Sequence, residues 1–351
     1  MLQATNIDSF ELAAIDVGSN AARLLIYHVD AGLDGEIKTR KSFFLRVPLR
    51  LGMDVFNGGK LSETRSEEFL RTMKAYKQLM KVYHVRQYRA CATSAMRDAQ
   101  NGKAMLKQIE KETGLKLEII SGDVESRIVY DNHLALMSGQ GSFLYVDVGG
   151  GSTEVTFMHH GERIHGCSYN IGTIRLLNGK VKPEKFVQMI DELKKVTQGY
   201  NDITIIGSGG NINKLYRMAS KRDKLVDYLP VDTLRRQHTR LAKMSVEERM
   251  EVFNLKPDRA DVIVPAAEIF LGIADGVGAK TIMVPNLGLA DGIINEMVEE
   301  YKKKKSEERL TKEETPEEKA NKEQTPEKKS SKKETTKEKA DKGQTPEKKK
   351  K

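Results

Sequence analysis

Two stretches of this chain repeat one pattern, and the repeat limits the folds open to it. Ala14-Ile15-Asp16-Val17-Gly18-Ser19-Asn20 and Val146-Asp147-Val148-Gly149-Gly150-Gly151-Ser152-Thr153 each bring an apolar run to an Asp, then to Gly and a hydroxyl, then into a second apolar run. The two aspartates stand 131 residues apart, so the halves of the chain share an opening theme. Each copy reads as a β-hairpin with a glycine turn. Such a turn exposes successive backbone amides with no Cβ in the way, the geometry that cradles a phosphate. An Asp just before it offers hard oxygen for Mg²⁺, the usual partner of a bound phosphate. One copy is compatible with any tight hairpin. Two copies, each after a buried strand, ask for more, because turning alone does not require Asp twice. No G-x-x-x-x-G-K-[ST] sequence occurs, which excludes a P-loop enzyme.

Around the repeat, helix and strand patterns alternate. The first hairpin spans Leu12 to Val17 and Leu24 to Val29. From Ser62 to Val85, Phe69, Met73, Tyr76, Leu79, Met80 and Tyr83 recur at helical spacing, with Thr64-x-x-Glu67 as a capping box. A strand (Tyr88 to Thr93), a helix from Ser94, a second helix ending near Gly114 and a strand (Leu117 to Ile120) follow. The second half opens with a helix over 123–137 and strands at 143–148 and around Val155 and Phe157. Helices at 183–199, after Gly207-Ser208-Gly209-Gly210, from Ser245-x-x-Glu248, at 261–276 and at 289–301 complete it, with strands at 203–206 and 281–284. Both halves are therefore of the α/β class.

The 351 residues, 38% hydrophobic, suffice for two domains with cores of their own. Apolar runs fall short of the roughly 20 residues that span a bilayer, and the first eleven residues lack the basic flank and apolar stretch of a secretory signal. A cytoplasmic location is expected. Two cysteines, Cys91 and Cys167, support neither a disulfide framework nor a cysteine-rich zinc site. His159 and His160, as neighbours on a strand, point to opposite faces and make no metal site. Of the net charge of +9, residues 302–351 carry +7, with 19 Lys and Arg against 12 Asp and Glu, so a specific nucleic-acid partner is not implied. From Lys312 the sequence reads as four polar decapeptides (KEETPEEKAN, KEQTPEKKSS, KKETTKEKAD, KGQTPEKKKK) with nothing to bury, which predicts a disordered tail. A solvated tail and a loose arm for an anionic polymer are its two readings.

With these residues in view, the chain resembles the exopolyphosphatase and guanosine pentaphosphate phosphatase (Ppx/GppA) family over most of residues 12–300. AIDVGSNAARLLI (14–26), ATSAMRDAQN (92–101), ISGDVESRIVY (120–130), VDVGGGSTE (146–154) and IGSGGNINKL (206–215) carry the resemblance, with NIGTIRL (170–176) and GLADGIINEM (288–297) beside them. It implies two ribonuclease-H-like domains of the actin, sugar kinase and heat-shock ATPase superfold with a cleft between them: residues 1–122, 123–301, and a tail at 302–351. It also implies hydrolysis of terminal phosphate from inorganic polyphosphate or guanosine pentaphosphate (pppGpp). The chain departs from the family where Val124-Glu125 replaces two adjacent glutamates and where Asn211 replaces a Thr. In place of the family's appended helical domain stands the repetitive tail, as expected of the short form.

The resemblance gives Glu125 the role of catalytic base, acting on water; a helix-start glutamate favoured by the macrodipole is the alternative. Asp147 and Glu154, seven apart across the glycine turn, are placed to act beside Mg²⁺, with Asp16 as a further metal ligand; for Glu154 an exposed strand position is the alternative. Phosphate oxygens are assigned to Gly18, Ser19, Asn20, Arg23, Arg97, Gly149, Gly150, Gly151, Ser152, Thr153, Gly209 and Gly210. Arg23, among apolar neighbours, needs an anion, and Asp16 is a candidate for it. Arg97 has the fork for phosphate and also fits an ion pair. Arg175 and Lys214 are weaker lining candidates. An ATP-dependent kinase or ATPase and a non-catalytic polyphosphate or alarmone-binding regulator remain as other functions, and a homodimer is left open.

Overall fold

The computed structural model describes residues 8–32, 36–134, 140–219 and 227–313. In the first half lie β1 (Asp8–Val17), β2 (Ala22–Ala31), β3 (Ile37–Val47), α1 (Leu51–Gly58), α2 (Glu63–Val82), β4 (Val85–Ala92), α3 (Ser94–Asp98), α4 (Gly102–Thr113) and β5 (Glu118–Ile119). Next come α5 (Gly122–Leu134), β6 (Ser142–Val148), β7 (Thr153–His159), β8 (Glu162–Tyr169), α6 (Thr173–Leu177), α7 (Pro183–Val196), β9 (Thr204–Ser208) and α8 (Gly210–Met218). The chain continues through β10 (Tyr228–Pro230), α9 (Val231–Ala242), α10 (Val246–Phe253), α11 (Pro257–Ala260), α12 (Ile263–Val277), β11 (Thr281–Met283) and α13 (Leu289–Glu313). No helix among the described residues is long and apolar enough to cross a membrane.

The strands form two sheets of matching topology, ordered β3-β2-β1-β4-β5 and β8-β7-β6-β9-β11-β10. In each, an antiparallel three-strand meander is extended by a strand parallel to the first of the three: β4 beside β1, β9 beside β6. This is the duplicated α/β arrangement that the repeat predicts, with the ribonuclease-H-like character that the resemblance implies. Strand alternation sorts the side chains. Ala13, Ile15 and Val17 face a core with α1 to α4, whereas Leu12 and Ala14 face a separate core with α5 and α13. In the second sheet Leu144, Val146 and Val148 pack toward α7, α8, α9 and α12, and Tyr145 faces Tyr130 of α5.

Helix α5 consequently lies between the sheets. Ile128 and Val129 belong to the first sheet's core, and Tyr130 meets Tyr145 of the second in an edge-on contact at 5.5 Å. Helix α13, counted with the second half in sequence, buries Leu289, Ile293, Ile294 and Met297 against the first sheet. In sequence α5 lies between the two sheets, β5 ending at Ile119 and β6 beginning at Ser142.

Local expectations fare unevenly. Ser245 and Glu248 form the capping box at α10 as predicted, but α2 is capped by Ser62, whose hydroxyl accepts from the Arg65 amide, and not from Thr64. His160 lies in the turn after β7 with a positive φ, so the rings of His159 and His160 meet edge-on at 4.0 Å instead of parting to opposite faces. β3 and α1 were not anticipated: β3 begins Ile37-Lys38-Thr39-Arg40-Lys41, a charged edge without clean alternation. Residues 1–302 form one unit and 303–351 another. The tail expected to be disordered from 302 remains in α13 to Glu313; the rest of it lies outside the described residues.

Candidate active site

Asp16 and Asp147 are each the penultimate residue of their strand, and both turns close with the same bond. The Gly18 amide donates to the Ala21 carbonyl at 3.0 Å, and the Gly149 amide to the Ser152 carbonyl at 2.9 Å. Directly across the strands stand Arg23 for Asp16 and Glu154 for Asp147. The first hairpin therefore holds an ion pair, and the second sets two carboxylates against each other on one face.

The turns face one another. A Cβ on Gly150 would lie 3.0 Å from Ser19 Cβ and 3.3 Å from the Asn20 amide nitrogen. The Ser19 hydroxyl bonds that of Ser94 at 2.8 Å. The Gly149 and Gly150 carbonyls accept from the Thr173 and Ile174 amides at 3.0 and 2.8 Å, fixing the second turn from behind. Among the described residues the amides of Ser19, Asn20, Gly150 and Gly151 donate to no backbone carbonyl, which leaves paired turns of unspent N–H groups. Ser19, Asn20 and Gly150 border a cleft of about 360 Å³ that also exposes Asp16, Asp147, Glu125, Ser152, Gly209 and Gly210.

Glu125 reaches this cleft because α5 begins against β8. A Cβ on Gly122 would fall 2.4 Å from Ser168, so only glycine permits that approach. Ser168 Oγ in turn donates to Glu154 at 2.8 Å. Glu125 accepts from Arg97 Nη1 at 3.0 Å, and its pKa is raised well above the usual carboxylate value by burial first and by Glu154 second, with Arg97 opposing both. Burial and the Asp147 charge raise Glu154 to about 7, while hydrogen bonds from Ser152 and Ser168 pull the other way. Burial raises Asp147 to about 6, against the pull of Arg23. Such clustered, mutually repelling carboxylates mark a site built for chemistry or for a cation. Gly209 has φ +101°, and a Cβ there would meet Asp147 Oδ1 at 2.9 Å.

Several predicted residues sit elsewhere in the machinery. Arg97, expected on phosphate, does not border the cleft; it is held by Glu125 and the Ile120 carbonyl at 2.8 Å. Thr153 is fully buried, its hydroxyl donating to the Ile171 carbonyl at 2.6 Å, and Gly151 packs against Phe56 and Ser94. Both brace the turn from behind. Arg175 donates to the Gly151 carbonyl and to Asp98 and covers the Phe56 ring, so it lines nothing. Lys214 donates to the Phe253 carbonyl at 3.2 Å, outside the cleft wall. Asp16 Oδ2 accepts from Arg23, and Asp16 also lines the cleft.

Other cleft residues escaped the sequence reading. Lys41, Phe44 and Arg46 come from the unanticipated β3, Thr173 from α6, Arg217 from α8 and Arg259 from α11. The Thr173 hydroxyl and Arg46 Nε are buried without a partner among the described residues. No local pattern marks these cations, because the chain brings them together from both halves.

The chain is similar to known proteins in sequence and fold. Residues 41–301 match the Ppx/GppA phosphatase family. A bifunctional 3-dehydroquinate synthase/phosphatase of Fusobacterium nucleatum is 28% identical over 320 residues, 83% of this chain and 47% of that protein. A guanosine-5'-triphosphate,3'-diphosphate pyrophosphatase of Aeromonas hydrophila is 25% identical over 296 residues, 80% of this chain and 58% of that protein. The chain spans about half the length of these curated relatives. A crystal structure of the Aquifex aeolicus Ppx/GppA family member superposes with a TM-score of 0.66 at 28% identity, over 83% of this chain and 99% of the other. An exopolyphosphatase from Cytophaga hutchinsonii, 22% identical, shares the fold with a TM-score of 0.72 over 82% of this chain and 98% of its own.

Proposed function

Because this chain belongs to the Ppx/GppA phosphatase family, we propose that it hydrolyses the terminal phosphoanhydride of inorganic polyphosphate. One observation carries the reading: two glycine turns with unspent amides meet at one cleft beside a buried carboxylate, Glu125. The amides of Ser19, Asn20 and Gly150 hold the nonbridging oxygens of the terminal phosphate. Glu125 accepts a proton from a water aligned with the scissile bond. As the new P–O bond forms, the bridging P–O bond breaks and its electron pair stays on the shortened chain. The proton then leaves Glu125 for solvent. Arg97 acts through Glu125, keeping part of its population ionised in a setting that otherwise favours the acid form.

Mg²⁺ fits the donors present. Among the described residues no three acidic, histidine or cysteine side chains converge as a closed metal cage. Mg²⁺ needs only one or two carboxylates, with waters and substrate phosphates completing its shell. Asp147 is the first candidate, with Glu154 behind it, and both are buried carboxylates that a cation would relieve. When bound, the ion would neutralise charge on the phosphate oxygens.

Exposed Phe44 at the cleft favours a second reading, pppGpp, since an aromatic face can receive a base. Orthophosphate release from long-chain polyphosphate with Mg²⁺, and kcat/KM compared with that for pppGpp, tests both. No release from either substrate, or release unaffected by Glu125→Gln, overturns the proposal.

A further inference from the structure

We infer that the hydroxyl of Thr173 is a further donor to the terminal phosphate, supplied from α6 beside the second glycine turn. This rests on the reading of the cleft as a phosphoanhydride site. Thr173 is 1% exposed and lines the cleft, and its Oγ1 is buried without a partner among the described residues. The other cleft residues with a buried, unpartnered side-chain atom are Asn20 and Asn213, through Oδ1, and Arg46, through Nε. The two amide oxygens only accept, so an anion gains nothing from them, and Arg46 already pairs with Asp258. Of the four atoms, Thr173 Oγ1 is the neutral one that can donate.

The hydroxyl is unpaired because of where it falls in the chain. A threonine inside a helix can donate to the carbonyl four residues back, as Thr72 does to Glu68, Thr113 to Ile109 and Thr239 to Arg235, at 2.8, 2.7 and 3.0 Å. Thr173 is the first residue of α6 and has no helical turn before it. Burying a hydroxyl without a partner is costly, and a ligand that accepts from it removes that cost on arrival. The residue is also held in place. Gly172 lies so near the second turn that a Cβ there would fall 2.5 Å from the Gly150 carbonyl oxygen, and the Thr173 amide donates to the Gly149 carbonyl at 3.0 Å. Ile174 packs in the first sheet's core while Leu176 packs against the second's, so both halves fix α6. A donor fixed in advance binds without an ordering cost.

Binding of inorganic phosphate is measured by calorimetry without Mg²⁺, and urea unfolding is followed on the same proteins: the full chain, Thr173→Val and Thr173→Ser. Valine keeps the shape and removes the hydroxyl. A hydrogen bond to a charged oxygen is associated with about tenfold in affinity, so phosphate should weaken about tenfold in Thr173→Val and stay within about twofold in Thr173→Ser. The urea midpoint of Thr173→Val should equal or exceed that of the parent, because an unpaired hydroxyl leaves the interior. A hydroxyl with a merely structural role gives the reverse, a lower midpoint with phosphate binding intact, and that result overturns the inference. Equal weakening in both variants also overturns it, since the hydroxyl is then not what binds. A parent chain that binds phosphate with this dependence but releases none from polyphosphate or pppGpp with Mg²⁺ refutes the proposed hydrolysis and leaves Thr173 as an anion donor. A parent chain that hydrolyses polyphosphate while Thr173→Val binds and turns over as well as it does refutes the role of Thr173 and leaves the hydrolysis standing.

Discussion

Removing Arg97 should make catalysis by this site depend on alkali. Its Nη1 donates to Glu125 at 3.0 Å and opposes the burial and the Glu154 repulsion that hold that carboxyl in its acid form. A hydrogen bond to a charged group contributes about 1.5–3 kcal/mol. Its loss in Arg97→Met therefore shifts the balance from carboxylate to carboxylic acid by roughly 10- to 150-fold. Below the acid limb of the pH profile, kcat/KM should fall by that factor, and it should recover as rising pH ionises Glu125 without help. Phosphate release is followed from about pH 5.5 to 9.5, with thermal unfolding as a control because Arg97 also supports the Ile120 carbonyl. In a Glu125→Gln background the same change should cost little, since the two residues act as one unit. An equal loss at every pH, carried by KM, would mean that Arg97 binds phosphate and that the positioning argument is wrong.

Other outcomes follow from the same geometry. Glu125→Gln should lower kcat by about 10²- to 10⁴-fold while tripolyphosphate binding is retained, the signature of a base and not of a binding group. Gly209→Ala should destabilise the fold by about 1–3 kcal/mol, read from urea unfolding, and should reduce activity, because φ +101° suits glycine and the new Cβ would press on Asp147 Oδ1. Glu154 is raised in the fold from 4.5 to about 7, so the folded chain binds the extra proton between those values. The associated stability is full below the unfolded value and is lost as pH rises through about 7; Glu154→Gln should flatten that slope in EDTA. Mg²⁺ should restore stability at the alkaline end only if these carboxylates hold it. Truncation after Tyr301 should raise KM for long polyphosphate at low salt if the lysine-rich tail tethers the chain, and an unchanged KM removes that role.

Much of the centre was legible because its determinants are short-ranged. An apolar run ending in Asp, a glycine and a hydroxyl specify a hairpin from neighbouring residues alone, and doing so twice announced two similar sheets with their aspartates at matching strand ends. Glu125 was reached through the resemblance; its place at the cleft depends on Gly122 resting against Ser168. β3 was missed because its first residues are charged like a solvated edge, and with it went Lys41, Phe44 and Arg46.

Which charge meets which partner was settled only by packing. Asp16 and Asp147 look alike in sequence, yet one faces Arg23 and the other Glu154, so one hairpin is neutralised and the other strained. Arg97 turns to Glu125, Arg175 to Gly151, and α13 crosses to the first sheet. Local sequence determines turns and periodic faces because those energies act between near neighbours. The arginines of the cleft lie as much as 213 residues apart, from Arg46 to Arg259, and only the folding of both halves onto one groove brings them to a common wall.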